Sequence, residues 1–168
     1  MPVTLTDDMR AIIQSAHLCF AATVSADQRP NLSPKGTIRV LDDSHLFFLD
    51  IASPRTRANL AVNPWIELNV IDQLSRRGSR FAGPATLHRG DDTYAKATSR
   101  VFAEGATSYA VAAVVVIAVE RASELISPGY WKVSDEVEMR RSWKERRAKL
   151  DREFEEFLAT RAPFRARE

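Results

Sequence analysis

The sequence predicts a mainly β protein with helices (α+β), built as a small antiparallel β-barrel with a long C-terminal helix. Two observations carry this. Six short segments have strand character, and the first three are separated by connections of hairpin length, too short for the crossover helices of a parallel sheet. The stretch from Ser134 to Arg161 is charged and spaced as a helix, so it stands apart from the strands.

The elements follow in order. "TDDMRAIIQSAH" places Met9, Ile12, Ile13 and Ala16 at helical spacing behind Asp7 and Asp8, which predicts an N-terminal helix. "CFAATVS", the turn "ADQRP" and "NLSPKGTIRVL" read as strand, turn and strand, and "DDS" is a second tight turn into the strand "HLFFLDI". Ser53 as N-cap and Pro54 at the first helical position open a short helix that Asn63-Pro64 stops. In "WIELNVID", Ile66, Leu68 and Val70 alternate as in a half-buried strand. "RRGSRFAGPATLH" is a strand with a bend or bulge at Gly83-Pro84. "DDTYAKATSRVFAEG" predicts a helix across one end of the sheet, and "AVAAVVVIAVERASEL" a central strand buried on both faces. A helix from Ser134 to Arg161 closes the chain, with Met139, Trp143, Leu150, Phe154, Phe157 and Leu158 on its apolar side.

At 168 residues the chain is expected to form a single domain, the barrel over about residues 15–125 and the helical extension over about 134–161. A net charge of +2 does not by itself call for nucleic acid or membrane, and "SRRGSR" lacks the interleaved aromatic residues of a nucleic-acid surface. The longest apolar run, "AVAAVVVIAV", is too short to span a bilayer. "MPVTLTDDMR" lacks the basic start and apolar core of an export signal, and the single cysteine, Cys19, sits in an apolar run. A cytoplasmic protein with a buried free thiol is the expectation. His17, His45 and His88 are scattered, and the paired acids Asp7-Asp8, Asp42-Asp43 and Asp91-Asp92 fall at turns or helix starts, so no metal site is expected.

One arrangement runs against local electrostatics. Arg55 and Arg57 occupy the first turn of the helix that opens at Ser53, where unpaired N–H groups already carry partial positive charge. Such a helix start favours an anion, and guanidinium groups that grip phosphate oxygens in a bidentate way turn the local penalty into a binding device. With Lys35 and Arg39 on a nearby strand, phosphate is the favoured occupant.

The succession "PNLSPKGTIRVLDDSHLFFLD", "SPRTRANLAVNPWIELNVID" and "RFAGPATL" resembles the pyridoxamine 5′-phosphate oxidase-like family, the FMN-binding split barrels, over roughly residues 15 to 125. The likeness lies in the order and spacing of four weak motifs: a strand with a basic residue, a strand ending in aromatic residues, a basic turn before "NL…NP", and a "G-x-A/E" strand. It is nearest to the uncharacterised flavin-binding branch. The resemblance implies a six-stranded split barrel, FMN as cofactor and a homodimer with flavin at the subunit interface. Arg55 matches the arginine that holds the FMN phosphate. Thr56 stands where lysine is common, and Arg57 is a substitute source of charge. Ser33, Lys35, Gly36 and Thr37 fall on the strand flanking the flavin ring and ribityl chain, and Phe48 and Leu49 where the family lines the pocket. The ring-contacting glutamine of true oxidases falls nearest Gly78.

True oxidases also carry an Arg-x-His pattern near the C-terminus for the substrate phosphate. This chain has none, which argues against pyridoxamine phosphate as substrate. In its place stands "SPGYWKVSD", whose Trp131 is a candidate to lie over the flavin, with Tyr130 beside it; a loop anchor packed on the barrel is the competing reading. The implied function is an FMN-dependent oxidoreductase acting on an unidentified small molecule, with NAD(P)H as a candidate donor. The alternatives are a non-enzymatic flavin protein for storage, sensing or electron relay, and a deazaflavin-dependent reductase. No catalytic side chain is assigned, because the flavin carries the redox chemistry.

Overall fold

The structure, a computed structural model, describes residues 3–16, 18–133 and 135–161. The chain forms two compact units: one comprises the residues up to Asp72 together with Arg77–Ile126, the other Gln73–Arg76 together with the chain from Ser127 onward.

The first unit is the barrel. Helix α1 (Asp7–Ser15) is capped by the Thr6 hydroxyl, which accepts the Met9 N–H at 3.3 Å, and it buries Ile12 and Ile13. The strands follow as β1 (Cys19–Val24), β2 (Pro30–Lys35), β3 (Arg39–Val40), β4 (His45–Asp50), β5 (Trp65–Asp72), β6 (Arg77–His88), β7 (Ala113–Ala118) and β8 (Arg121–Ile126). Helix α2 (Pro54–Val62) joins β4 to β5, and α3 (Asp92–Ala103) joins β6 to β7. All pairings are antiparallel, in the order β2-β1-β5-β6-β7-β4-β3, with β8 added on β6. The two end strands, β2 and β3, are consecutive in the chain. Only Gly36, Thr37 and Ile38 separate them, so they lie within about 14 Å of each other and the sheet must curl. This is the split barrel.

The six expected strands are eight among the described residues, and both additions have a physical cause. The segment expected as one strand over 31–41 divides after Lys35, because β2 pairs with β1 while β3 pairs with β4 on the far edge. The stretch expected as one strand over 110–125 breaks at Val119 and Glu120, whose N–H groups bond the carbonyls of Ser44 and Ala82, so that β7 and β8 both pair with β6. Residues 110–112 lie outside the strand.

β6 is the hinge of the sheet. Its first part lies between β5 and β8, and from Ala85 onward it pairs with β7. The bend expected at Gly83-Pro84 sits at this change of partner. A Cβ on Gly83 would lie 1.8 Å from the Ala118 carbonyl oxygen, so only glycine permits the close approach. β7 is buried on both faces, as its Val-rich sequence predicts. Val115 and Ile117 enter the barrel core with Phe48 and Phe81, whereas Val114 and Val116 meet Phe47, Leu49, Ala97 and Val101 under α3. α3 thus covers a face of β4 and β7 rather than an end of the sheet. Cys19 is fully buried.

In the second unit a single 3₁₀ turn (Pro128–Trp131) precedes α4 (Glu136–Ala159). The expected first residue of this helix, Ser134, lies outside the described residues, as does His17. Asp135 caps the helix, accepting the Val137 N–H at 2.9 Å. Of the apolar side expected on α4 only Met139 is buried. Leu150, Phe154, Phe157 and Leu158 are about half exposed. No helix among the described residues is long and apolar enough to cross a membrane.

Gly83→Ala is expected to destabilise by about 1–3 kcal/mol, the range for forcing extra atoms into a packed site, with a drop of several degrees in Tm by calorimetry. An unchanged Tm would mean that β6 and β7 can separate freely at this point.

Candidate functional site

The site grows from the end of β4. Alternation along "HLFFLD" sends Leu46 and Phe48 to the barrel core and Phe47 and Leu49 to the opposite face, and the strand closes on Asp50, whose carboxylate has no exposed surface. A buried carboxylate must be surrounded by donors. One Asp50 oxygen accepts the Ser53 N–H at 2.9 Å, and the other accepts from the Arg57 guanidinium.

Lys35, at the end of β2, is only 4% exposed. Its ammonium donates to the hydroxyls of Ser33 at 2.5 Å and Ser53 at 2.7 Å, and lies 5.5 Å from the centre of the Phe48 ring. Burial pushes its pKa below the ordinary lysine value, against the opposing pull of the Asp50 carboxylate and of Cys19. Cys19, opposite Lys35 in the β1–β2 register, has its thiol pushed up to about 12 by burial, with the Lys35 charge acting the other way. Lys35 also changes the start of α2. Ser53 is the N-cap residue, as expected, but its hydroxyl is turned to Lys35 and makes no cap bond.

These groups border a cavity of about 440 Å³ at the split between β2 and β3. Ser33, Lys35, Gly36, Thr37 and Leu49 line it, so five of the ten residues singled out in the sequence come together there. The remaining wall is Pro34 of β2, Ile51, Ala52 and Ser53 from the β4–α2 loop, and Ala106, Thr107 and Tyr109 from the loop after α3. The Thr37 hydroxyl already has a partner, accepting the Leu49 N–H at 2.9 Å. The other five lie elsewhere. Phe48 is fully buried beneath Lys35. Arg55 is exposed and makes no ion pair among the described residues. Thr56 is buried, and its hydroxyl has no hydrogen-bond partner among the described residues. Arg57 is engaged by Asp50 rather than free. Trp131 belongs to the other unit, where it is 87% exposed, while Tyr130 is anchored by donating to the Ser75 carbonyl at 2.6 Å.

Sequence reasoning missed Asp50. An acid closing an otherwise apolar strand, just before a basic turn, was the available signal. Nothing local marks Ala106, Thr107 or Tyr109, which reach the cavity only through the placement of α3.

The family model described as pyridoxamine 5′-phosphate oxidase matches residues 5–125. No curated relative matches the chain. Among solved structures, the HupZ protein of Group A Streptococcus is 32% identical, with a TM-score of 0.66 over 73% of this chain and 95% of that one. An FMN-binding protein from Syntrophomonas wolfei is 12% identical, with a TM-score of 0.57 over 70% and 88%. The heme storage protein HutZ from Vibrio cholerae is 19% identical, with a TM-score of 0.56 over 74% and 95%. At these last two identities the likeness is one of fold.

Removing one partner of a buried ion pair strands the other. Asp50→Asn is therefore expected to destabilise the protein by about 3–5 kcal/mol in urea titrations. The lowered pKa of Lys35 has a further consequence. Between its folded value and the higher unfolded one, the unfolded chain binds more protons, so stability rises with pH across that window. Lys35→Met is expected to flatten this rise when urea melts are compared at successive alkaline pH values. An equal slope in both proteins would remove Lys35 as its source.

Proposed function

The chain belongs to the pyridoxamine 5′-phosphate oxidase-like family, and we propose that the cavity at its split holds FMN for redox chemistry on a small molecule other than pyridoxamine phosphate. The observation that carries this reading is the buried Lys35 ammonium in the cavity wall, between two serine hydroxyls and beside a helix start with no side-chain cap.

The chemistry of this donor set suits a phosphate ester. Uncapped N–H groups at the start of α2 attract an anion, and the exposed Arg55 in the first turn adds a guanidinium. Asp50 neutralises one of the two cations it faces, Lys35 and Arg57, so the cluster keeps a net positive charge. The buried Thr56 hydroxyl is a donor without a partner in the same helical turn. A cavity of about 440 Å³ is within the usual size of a cofactor site, roughly 300–1,000 Å³. Ser33, Lys35, Ser53 and Arg55 would hold the phosphate, and Gly36 and Leu49 would border the body of the cofactor. Bound flavin supplies hydride or single-electron transfer; the protein's part is to bind, orient and exclude water.

Heme, suggested by the Vibrio cholerae neighbour, is the less favoured occupant, because no histidine, cysteine or methionine lines this cavity among the described residues. The protein works as a homodimer in this reading. Phe20, Leu32 and Ile71, exposed on one face of β1, β2 and β5, offer an apolar seat for the second copy.

Titration of FMN and riboflavin into wild type, Lys35→Met and Arg55→Ala tests the assignment. Each lost charge-assisted hydrogen bond is worth about 1.5–3 kcal/mol, so FMN affinity is expected to fall tenfold to a hundredfold while riboflavin binding changes little. Equal losses for both ligands, or a heme-type absorption band in the purified protein, would overturn it. Bleaching of bound flavin by NADH or NADPH, with recovery on an acceptor, is expected of the oxidoreductase. A flavin that only dithionite reduces would mark a carrier.

A further inference from the structure

A second cavity, of about 210 Å³, lies wholly within the C-terminal unit, between the segment Gln73–Arg76 and the helix α4. It shares no residue with the flavin reading. Leu74, Leu150 and the indole of Trp143 give it an apolar wall, and Arg76 and Arg147 border it with charge. By the space a water occupies in the liquid, it would hold roughly seven water molecules.

Arg76 is its unusual member. The guanidinium stacks over the Trp143 ring at 4.2 Å, and its Nε is buried with no hydrogen-bond acceptor among the described residues. An aromatic face attracts the cation but offers no lone pair in the plane of the guanidinium fork. The backbone of Arg76 is held in the left-handed region, with φ 58°, and its carbonyl accepts the Ser127 N–H at 3.1 Å. The neighbouring Ser75 carbonyl is tied to Tyr130 at 2.6 Å. The segment is thus pinned on both sides, and the guanidinium is presented rather than free to search. The surrounding charge is positive. Arg146 also lies over Trp143, at 5.3 Å, while Arg147 is neutralised by Asp151 at 2.8 Å.

We propose that this cavity binds a small carboxylate with an apolar body, its oxygens taken by the Arg76 guanidinium and its hydrocarbon part set against Trp143, Leu74 and Leu150. A carboxylate supplies the two in-plane acceptors that a guanidinium edge matches. An inorganic anion would satisfy the charge but leave the apolar walls against water. A cationic ligand would meet Arg76 and Arg146 with like charge.

The test uses the full chain carrying Trp65→Phe and Trp131→Phe, which leaves Trp143 as its sole tryptophan. Benzoate, benzylamine and acetate are titrated against its emission. Benzoate is expected to give a saturable change, with benzylamine and acetate at least tenfold weaker. Arg76→Met is expected to weaken benzoate at least tenfold. Leu150→Phe fills the cavity from a half-exposed helix position without touching Arg76, and is expected to do the same while leaving the circular dichroism spectrum intact; it decides the matter if Arg76→Met does not fold. A change that does not saturate, an equal response to benzoate and benzylamine, or benzoate affinity retained in the folded variants would overturn the proposal.

Discussion

A carboxylate sealed from water at the end of β4 is the constraint on which the candidate site turns. Asp50 can be buried only if its lone pairs and charge are met, and the groups that meet them come from separate parts of the chain. The Ser53 N–H and the Arg57 guanidinium bring α2 back onto β4, and the Lys35 ammonium draws in the end of β2. The Asp50 carbonyl accepts the Ala112 N–H at 2.8 Å, which fixes the entry to β7. This arrangement also explains one of the two arginines at the helix start. Arg57 is tolerated there because an anion already faces it. Arg55, one residue back from Thr56 and two from Arg57, has no such partner among the described residues and is exposed.

Much of the fold was legible because local chemistry and tertiary placement agree. Thr6 and Asp91 cap their helices, Asp42 accepts the N–H groups of Ser44 and His45 in its turn, and the alternation of Ile66, Leu68 and Val70 matches the burial of β5 up to Val70, beyond which Ile71 is exposed and Asp72 buried. The division after Lys35 was not legible, since "NLSPKGTIRVL" has strand character throughout and only the change of partner strand breaks it. The same holds for Val119 and Glu120, where apolar periodicity runs straight across a turn. At the site, Lys35 could be picked out as a basic residue on a strand near the helix start and Leu49 through the family resemblance, but the commitment of Arg57 to Asp50 could not. A charge pair across seven residues of loop and helix leaves no periodic trace. Ser53 shows the reverse case: its position as N-cap was readable, while the loss of its cap bond to Lys35 depended on a strand eighteen residues earlier in the chain.

The family resemblance and the structure bear on different questions. Neighbours of the same fold are described by FMN and by heme, so the barrel alone does not select a cofactor. At the split, the chain offers hydroxyls, an ammonium and backbone N–H groups.

The ladder that closes the barrel has a consequence for how the molecule comes into being. Hairpins such as β1–β2 and β5–β6 join near neighbours in sequence and can form as soon as they are synthesised. β4 has such a neighbour only over the two residues of β3, and along the rest of its length it has none. It must wait for β7, which pairs residues as distant in the chain as His45 and Ala118, with the entropy of closing that long loop still to be overcome. The cavity draws its walls from the residues around Lys35, around Ile51 and around Thr107, so it does not exist until this late pairing is made. A nascent chain emerging from the ribosome therefore cannot capture a ligand at this site piecemeal. Ligand capture is confined to the assembled barrel, and a ligand that binds there pulls the folding equilibrium only after the slowest contact has formed.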